Sequence, residues 1–329
     1  MRVAVKIPLY NAESTILDTL ESFLNQTHQD FIIYIYDNAS TDTSIQQIKT
    51  LEDSRIVIVT AEKNKNWYKN FNRCLGVCDE RYLLIAHADD VYHPQFLEKN
   101  LDALKTNKPR LLFTSGTKFR SYEEIKYTFP ISDCVHLDIY ENHESLLGAI
   151  VKSGNFIFSP TAFGYSSDIL NLISFFDGDQ FGGSADLDAW LRYVNVQSIG
   201  IIKTKGLFFH RVSESQISYN DLGLDDPVFI KCCSFHIKTA LIDAAKRSEL
   251  ELCLNWHKVY YGALRYLTGL NSTHLPQFNE LHAAISANVS SKKKVKIVFL
   301  FLLCKFISYL PAKAQSALGS ALLKRVRKS

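Results

Sequence analysis

The run YLLIAHADDVYHP, residues 82–94, reads as an apolar β-strand that stops at His87 and delivers two adjacent carboxylates, Asp89 and Asp90, one residue later. A strand that is apolar at nearly every position suits a sheet covered on both faces, so the two acids stand at the mouth of a buried strand. Adjacent carboxylates repel, and burial without compensation is costly, so the placement asks for a partner for their charge. Taken alone, the pair also fits a solvated turn with an aspartate capping a helix.

Upstream, the same kind of strand recurs. RVAVKI (2–7) is β-rich and ends at Pro8, DFIIYIYD (30–37) is closed by the polar turn NASTD, and RIVIVT (55–60) is a third strand. Between them Ile16, Leu20, Phe23 and Leu24 recur at helical spacing behind Ser14 or Thr15 as N-cap, and TSIQQIKTL (43–51) and WYKNFNRCLGV (67–77) read as helices. Strands alternating with helices predict an α/β fold, a mostly parallel sheet with helices on both faces. Ligands of such sheets bind beyond the carboxyl ends of the strands. Pro8 to Asn11, Asp37, and Asp89 with Asp90 therefore converge on one edge. With no Gly-rich phosphate loop beside them, those carboxylates suggest a divalent cation that in turn holds phosphates. The absence of GxGxxG and GxxxxGK[ST] patterns argues against dinucleotide-binding and P-loop enzymes.

Beyond Pro109 the pattern loosens. PRLLFTSG (109–116) reads as a strand, ENHESLLGAIVKSG (141–154) as a helix, and NFIFSPTAFGYSSDIL (155–170) as a strand, a turn and a helix start. In SADLDAWLRYV (184–194) Leu187, Trp190, Leu191 and Val194 share one helical face, with Asp186 and Asp188 near the N-terminal end, where the dipole favours anions. Residues 227–289 look mostly helical. The tail differs: SKKKVKIVFLFLLCKFISYL (291–310) puts three lysines before a greasy run that Lys305 interrupts, and ALLKRVRKS closes the chain. That run is shorter than the ~20 residues a spanning helix needs. The net charge of +3 is too small to argue for nucleic acid. Seven scattered cysteines without Cys-x-x-Cys spacing fit reduced thiols, and the start, MRVAVKIPLYNAEST, is too interrupted for a signal peptide.

Six segments then stand in a familiar order: IPLYNAE, TLESFLNQTHQDFIIYIYDNASTD, NKNWYKNFNRCL, ERYLLIAHADDVYHP, SADLDAWLR and FFHRVSESQIS. Over roughly its first 220 residues the chain resembles a family 2 glycosyltransferase with the GT-A fold, followed here by a helical C-terminal region. The resemblance implies an inverting, metal-dependent transfer of a sugar from a nucleotide-sugar, a UDP-sugar in the first instance, to a glycan or lipid-linked acceptor in cell-surface polysaccharide synthesis. It implies donor contacts from Tyr10 and Asp37, with Pro8, Asn11 and Ala88 beside them, and from Asn72 and Arg73. Asp89 matches the metal-binding carboxylate for Mn2+ or Mg2+, Asp186 the general base, and Arg211 a segment closing over the diphosphate. His87 replaces the first acid of the family's Asp-x-Asp and could bind the metal, hydrogen-bond the ribose or simply end the strand. Ala185 replaces the acid that usually precedes the base. On this reading residues 1–115 bind the nucleotide-sugar, 116–220 supply the acceptor site and base, 221–290 form a helical extension, and 291–329 are a basic amphipathic tail on the cytoplasmic face of a membrane. The alternative is a catalytically degenerate nucleotide-sugar-binding or scaffold protein.

Overall fold

The computed structural model describes residues 2–106, 109–125, 131, 136–155, 157, 161–172, 175–212 and 228–268, together with Ser291, Val298, Leu302 and Cys304. The chain divides into two compact units: Met1–His143, Phe156–Gln180 and Ala185–Ser213 form the first, and Glu144–Asn155, Phe181–Ser184 and Glu214–Ser329 the second.

The first unit is organised on β1 (Val3–Leu9), which is buried at every position. Even Lys6 is enclosed, its Nζ donating to Gly76 O at 2.5 Å, and burial lowers its pKa. Parallel neighbours flank β1: β2 (Phe31–Asp37), with β3 (Ile56–Thr60) outside it, and β4 (Tyr82–Ile85). The crossovers carry α1 (Ile16–Leu24), α2 (Ser44–Lys49) and α3 (Trp67–Arg73). This half is the alternating pattern of the sequence, and of the expected face of α1, Ile16, Leu20 and Phe23 are fully buried while Leu24 is only partly so.

The rest of the sheet is mixed. The strand order is β3-β2-β1-β4-β9-β6-β10-β8. Here β9 (Ala162–Tyr165) runs antiparallel to both β4 and β6 (Leu111–Thr114), β10 (Ile199–Ile202) is parallel to β6, and β8 (Leu137–Tyr140) is antiparallel to β10. Gly164 lets β9 approach closely: a Cβ there would lie 2.5 Å from Arg110 O. The expected single strand at 109–116 is two. Ser115 N donates to Ile202 O at 2.7 Å and ends β6, and the chain enters a separate three-stranded sheet as β7 (Gly116–Phe119). That small sheet has the order β5-β11-β7, with β5 (Val91–Tyr92) directly after the Asp89–Asp90 pair and β11 (Phe208–Arg211) in the centre. Beyond β5 comes α4 (Phe96–Thr106), and later α6 (Ser166–Leu172), α7 (Gly178–Phe181) and α8 (Ala185–Tyr193).

The second unit is helical where described. It takes most of α5 (His143–Ser153), with α9 (Val228–Thr239) and α10 (Ala244–Thr268). His257 on α10 hydrogen-bonds Val151 O at 2.8 Å. Hydrogen bonds from Lys152 and Lys246 hold the Glu249 carboxyl down at about 2. Residues 269–290 and nearly all of the 291–329 tail lie outside the described residues, and among those described no helix is long and apolar enough to cross a membrane.

Candidate active site

The partner of the two carboxylates comes from β11. Asp90 is buried at 1% exposure, and its Oδ1 accepts from His210 Nδ1 at 3.1 Å and from Arg211 N at 3.0 Å. Its carbonyl accepts from Thr19 on α1 at 2.7 Å. The Arg211 guanidinium donates through Nε to Asp89 O (2.8 Å) and through Nη2 to Asp18 (2.7 Å), and lies over the Phe119 ring. β11 therefore closes on the 87–90 loop through both charge and backbone. Burial opposes a charged His210, but the hydrogen bond and charge of Asp90 outweigh it and raise its pKa.

Asp89 has the opposite fate. Its side chain is 33% exposed, and His87 Nδ1 lies 3.8 Å from its Oδ1. Burial of the surrounding loop and then the neighbouring Asp90 charge push its carboxyl above the usual range. One atom of each of His87, Asp89 and Asp90 falls within 4.8 Å of the others. The second oxygen of Asp90 is buried without a hydrogen-bond partner among the described residues. Two carboxylates and an imidazole, one oxygen of them unsatisfied, fit a divalent cation.

Beyond the ends of β1 and β2 lies a cleft of about 650 Å³. Pro8, Leu9, Tyr10 and Asn38 form one wall, residues 64–68, Asn70 and Phe71 another, and Gly178 and Asp179 close it. Tyr10 is 47% exposed there. Phe71 ties the cleft to the acidic loop, its ring centroid 5.6 Å from that of His87. The other anticipated donor residues are held by backbone. Asn11 takes a left-handed φ of 46°, which asparagine tolerates better than most residues, and accepts from Thr41 N at 2.8 Å. Asp37 is buried and accepts from Ser40 N, three residues on, at 3.0 Å. Arg73 spends its guanidinium on Asp37 O and Val59 O, tying the ends of β2 and β3 together. Ala88 O accepts from Thr15 Oγ1 at 3.0 Å. Asn72 is turned to Phe176, accepting from its N–H at 2.6 Å and donating to its carbonyl at 3.1 Å.

The two acids of α8 also part company. Asp188 is 2% exposed and paired with Arg192 at 2.9 Å, and Arg192 goes on to donate to Phe175 O at 2.6 Å. Asp186 is only half-buried on the first turn, where its Oδ1 accepts from Leu187 N at 2.6 Å.

A family model described as "Glycosyl transferase family 2" matches residues 4–173, more than half of the chain. The chain belongs to glycosyl transferase family 2. The match runs from β1 through α6, so α8 and β11 lie beyond it. Among relatives, an uncharacterized glycosyltransferase of Haemophilus influenzae is 30% identical over 107 residues, 32% of this chain and 33% of that protein. The Escherichia coli protein WfaP, a UDP-Glc:alpha-D-GlcNAc-diphosphoundecaprenol beta-1,3-glucosyltransferase, is 30% identical over 106 residues, 32% of this chain and 42% of that one. The matched stretches thus span less than half of either relative's length. The structure of Staphylococcus aureus TarS 1-349 in complex with UDP aligns with a TM-score of 0.60 at 16% identity, covering 100% of this chain and 92% of that one, a likeness of fold.

Several residues of this candidate site escaped sequence reasoning. His210 is adjacent to the anticipated Arg211 in FFHR, and strand alternation could have marked it as facing another way. Asp179 accepts from Tyr68 OH at 2.5 Å, and Phe71 bridges cleft and loop; no local signal marks either.

Proposed function

We propose that this protein is an inverting glycosyltransferase that moves a sugar from a nucleotide-sugar, a UDP-sugar in the first instance, to a glycan or lipid-linked acceptor in cell-surface polysaccharide synthesis. The observation that carries the reading is the half-exposed Asp89 beside the unsatisfied oxygen of Asp90, at a loop that Phe71 joins to a nucleotide-sized cleft. Tyr10 and Pro8 receive the base end of the donor, and Arg211, held on Asp18 and Asp89 O, adds fixed positive charge near the diphosphate. A Mn2+ or Mg2+ ion held by Asp89, with His87 and the open oxygen of Asp90 as further ligands, would offset the charge of a departing nucleoside diphosphate. Asp186 accepts the proton of the acceptor hydroxyl. One displacement assisted by one base inverts the anomeric centre and needs no enzyme nucleophile. The UDP in the TarS complex and the diphosphoundecaprenol-linked acceptor in the name of WfaP support the donor and acceptor classes.

A thermal-shift screen of UDP-, GDP- and dTDP-sugars with and without Mn2+ tests the reading. A UDP-sugar should raise the midpoint, and more so with the metal. Saturation at a hundred times Kd stabilises by about 2.7 kcal/mol. No response to any nucleotide-sugar would defeat the proposal, and metal-dependent binding without release of nucleoside diphosphate on turnover would favour the degenerate scaffold.

The proposal extends to location. Lys292, Lys293 and Lys294 precede the apolar run and Lys324, Arg325, Arg327 and Lys328 follow it; each such charge near an anionic leaflet contributes about 1 kcal/mol. The full chain should float with anionic vesicles and a version ending at Val289 should not. Equal behaviour of the two would remove the tail as anchor.

A further inference from the structure

One peptide group links the two halves of the proposed chemistry. The carbonyl of Phe175 accepts from Arg192 on α8, and the N–H of the same peptide, that of Phe176, donates to Asn72 on α3. The Asn72 amide then returns a bond to the Phe176 carbonyl, so it grips the residue as a neighbouring strand would. The Phe176 ring is 1% exposed, with its centroid 6.1 Å from that of Phe71 on α3 and 5.7 Å from that of Trp190 on α8. Asp188, one turn before Arg192, fixes that arginine from within the helix. Two further contacts dock the same segment on α3: Tyr68 OH on Asp179, and Gly178, where a Cβ would lie 2.1 Å from the Tyr68 ring. The donor side of the cleft and the helix bearing Asp186 are thus fastened to each other through Phe175 and Phe176.

We propose that Asn72 is a positioning residue: by holding Phe176, which packs on Trp190 in the last turn of α8, it sets where that helix stands, and with it the Asp186 carboxylate on its first turn, relative to the donor cleft. The proposal rests on Asp186 being the general base. It accounts for an amide at position 72, since only a side chain with one donor and one acceptor in a plane can satisfy both the N–H and the carbonyl of one residue. An aspartate offers no donor to the carbonyl, and a hydroxyl is too short for both.

A double-mutant cycle between Asn72 and Asp186 tests this, with UDP and Mn2+ titrated calorimetrically to count competent sites and UDP release from the UDP-sugar as the rate. Asn72→Ala removes both bonds, and Asn72→Asp keeps the volume and the bond from Phe176 N–H but turns an oxygen on the Phe176 carbonyl, so counting competent sites separates a folding loss from a kinetic one in either variant. Each should lower kcat per competent site by about 10- to 100-fold with Kd for UDP within about threefold of the parent. In the Asp186→Asn background the same changes should add less than about threefold, because residues acting through one group are not additive. Fully multiplicative losses would overturn the positioning role. A tenfold rise in Kd would make Asn72 a donor contact instead, and an unchanged kcat per competent site would leave it purely structural. The single variant Asp186→Asn reads the base separately: were its kcat intact, the base assignment would fall first and this proposal with it.

Discussion

Asp89→Asn should lose turnover by on the order of 10²–10³-fold, the scale seen when one preorganised electrostatic group is removed from a transition state, and should lose the metal-dependent part of donor affinity while keeping its thermal midpoint. The expectation follows from the contrast between two adjacent, chemically identical residues. The Asp89 carboxylate is half-exposed with His87 Nδ1 3.8 Å away, whereas the bond that fixes its position in the fold is made by its carbonyl, to Arg211 Nε at 2.8 Å. Asparagine keeps that carbonyl and gives up only the charge. Asp90→Asn should behave differently. It faces His210 and the Arg211 amide from a buried site, and breaking such a pair costs about 3 kcal/mol or more. Thermal melts, with UDP release measured across a Mn2+ series, separate the two. Near-parental turnover by Asp89→Asn at low metal would take the metal role away from it.

Asp186→Asn should leave UDP affinity intact and lower kcat by about 10²–10⁴-fold, the usual worth of a general base. Its neighbour two residues on makes a demanding comparison. Asp188 is 2% exposed and holds Arg192, which in turn holds Phe175 O. Asp188→Asn should therefore lower the melting temperature, with any loss of kcat arising through displacement of α8. If Asp186→Asn instead weakened UDP binding, Asp186 would belong to the nucleotide pocket and the base would have to be sought elsewhere on the same helix.

The sequence made the first half of the fold legible because β1 to β4 are apolar runs with clear ends and α1 shows a clean helical face, all signals carried within ten residues. The second half lacked such signals. AFGY becomes β9 only because β4 and β6 offer it two edges, and two to four residues suffice for β5, β7 and β11 because they lean on each other. At the site, carboxylates at strand ends were readable and the resemblance singled out Asp89, but what holds Asp90 inside was not. Whether Asp89 or Asp90 turns inward depends on His210, 120 residues away. The resemblance implies donor contacts for Asn72 and Arg73; that their side chains also hold Phe176 and the ends of β2 and β3 is visible only in the assembled structure.

The placement of β11 has a consequence for how the protein is born. β1, β2, β3 and β4 find their parallel partners within the first 85 residues, so that wall can assemble while the remainder is still being synthesised. The acidic loop must wait for His210 and Arg211, and at ~5–20 residues per second the ribosome needs on the order of ten seconds to deliver them. Until then Asp90 lacks both of the groups that donate to its Oδ1, the His210 ring and the Arg211 amide. On this topology the pairing of β11 is the step that gives Asp90 its buried partners, and Asp89, which Arg211 holds by its carbonyl, keeps its carboxylate out of that pairing.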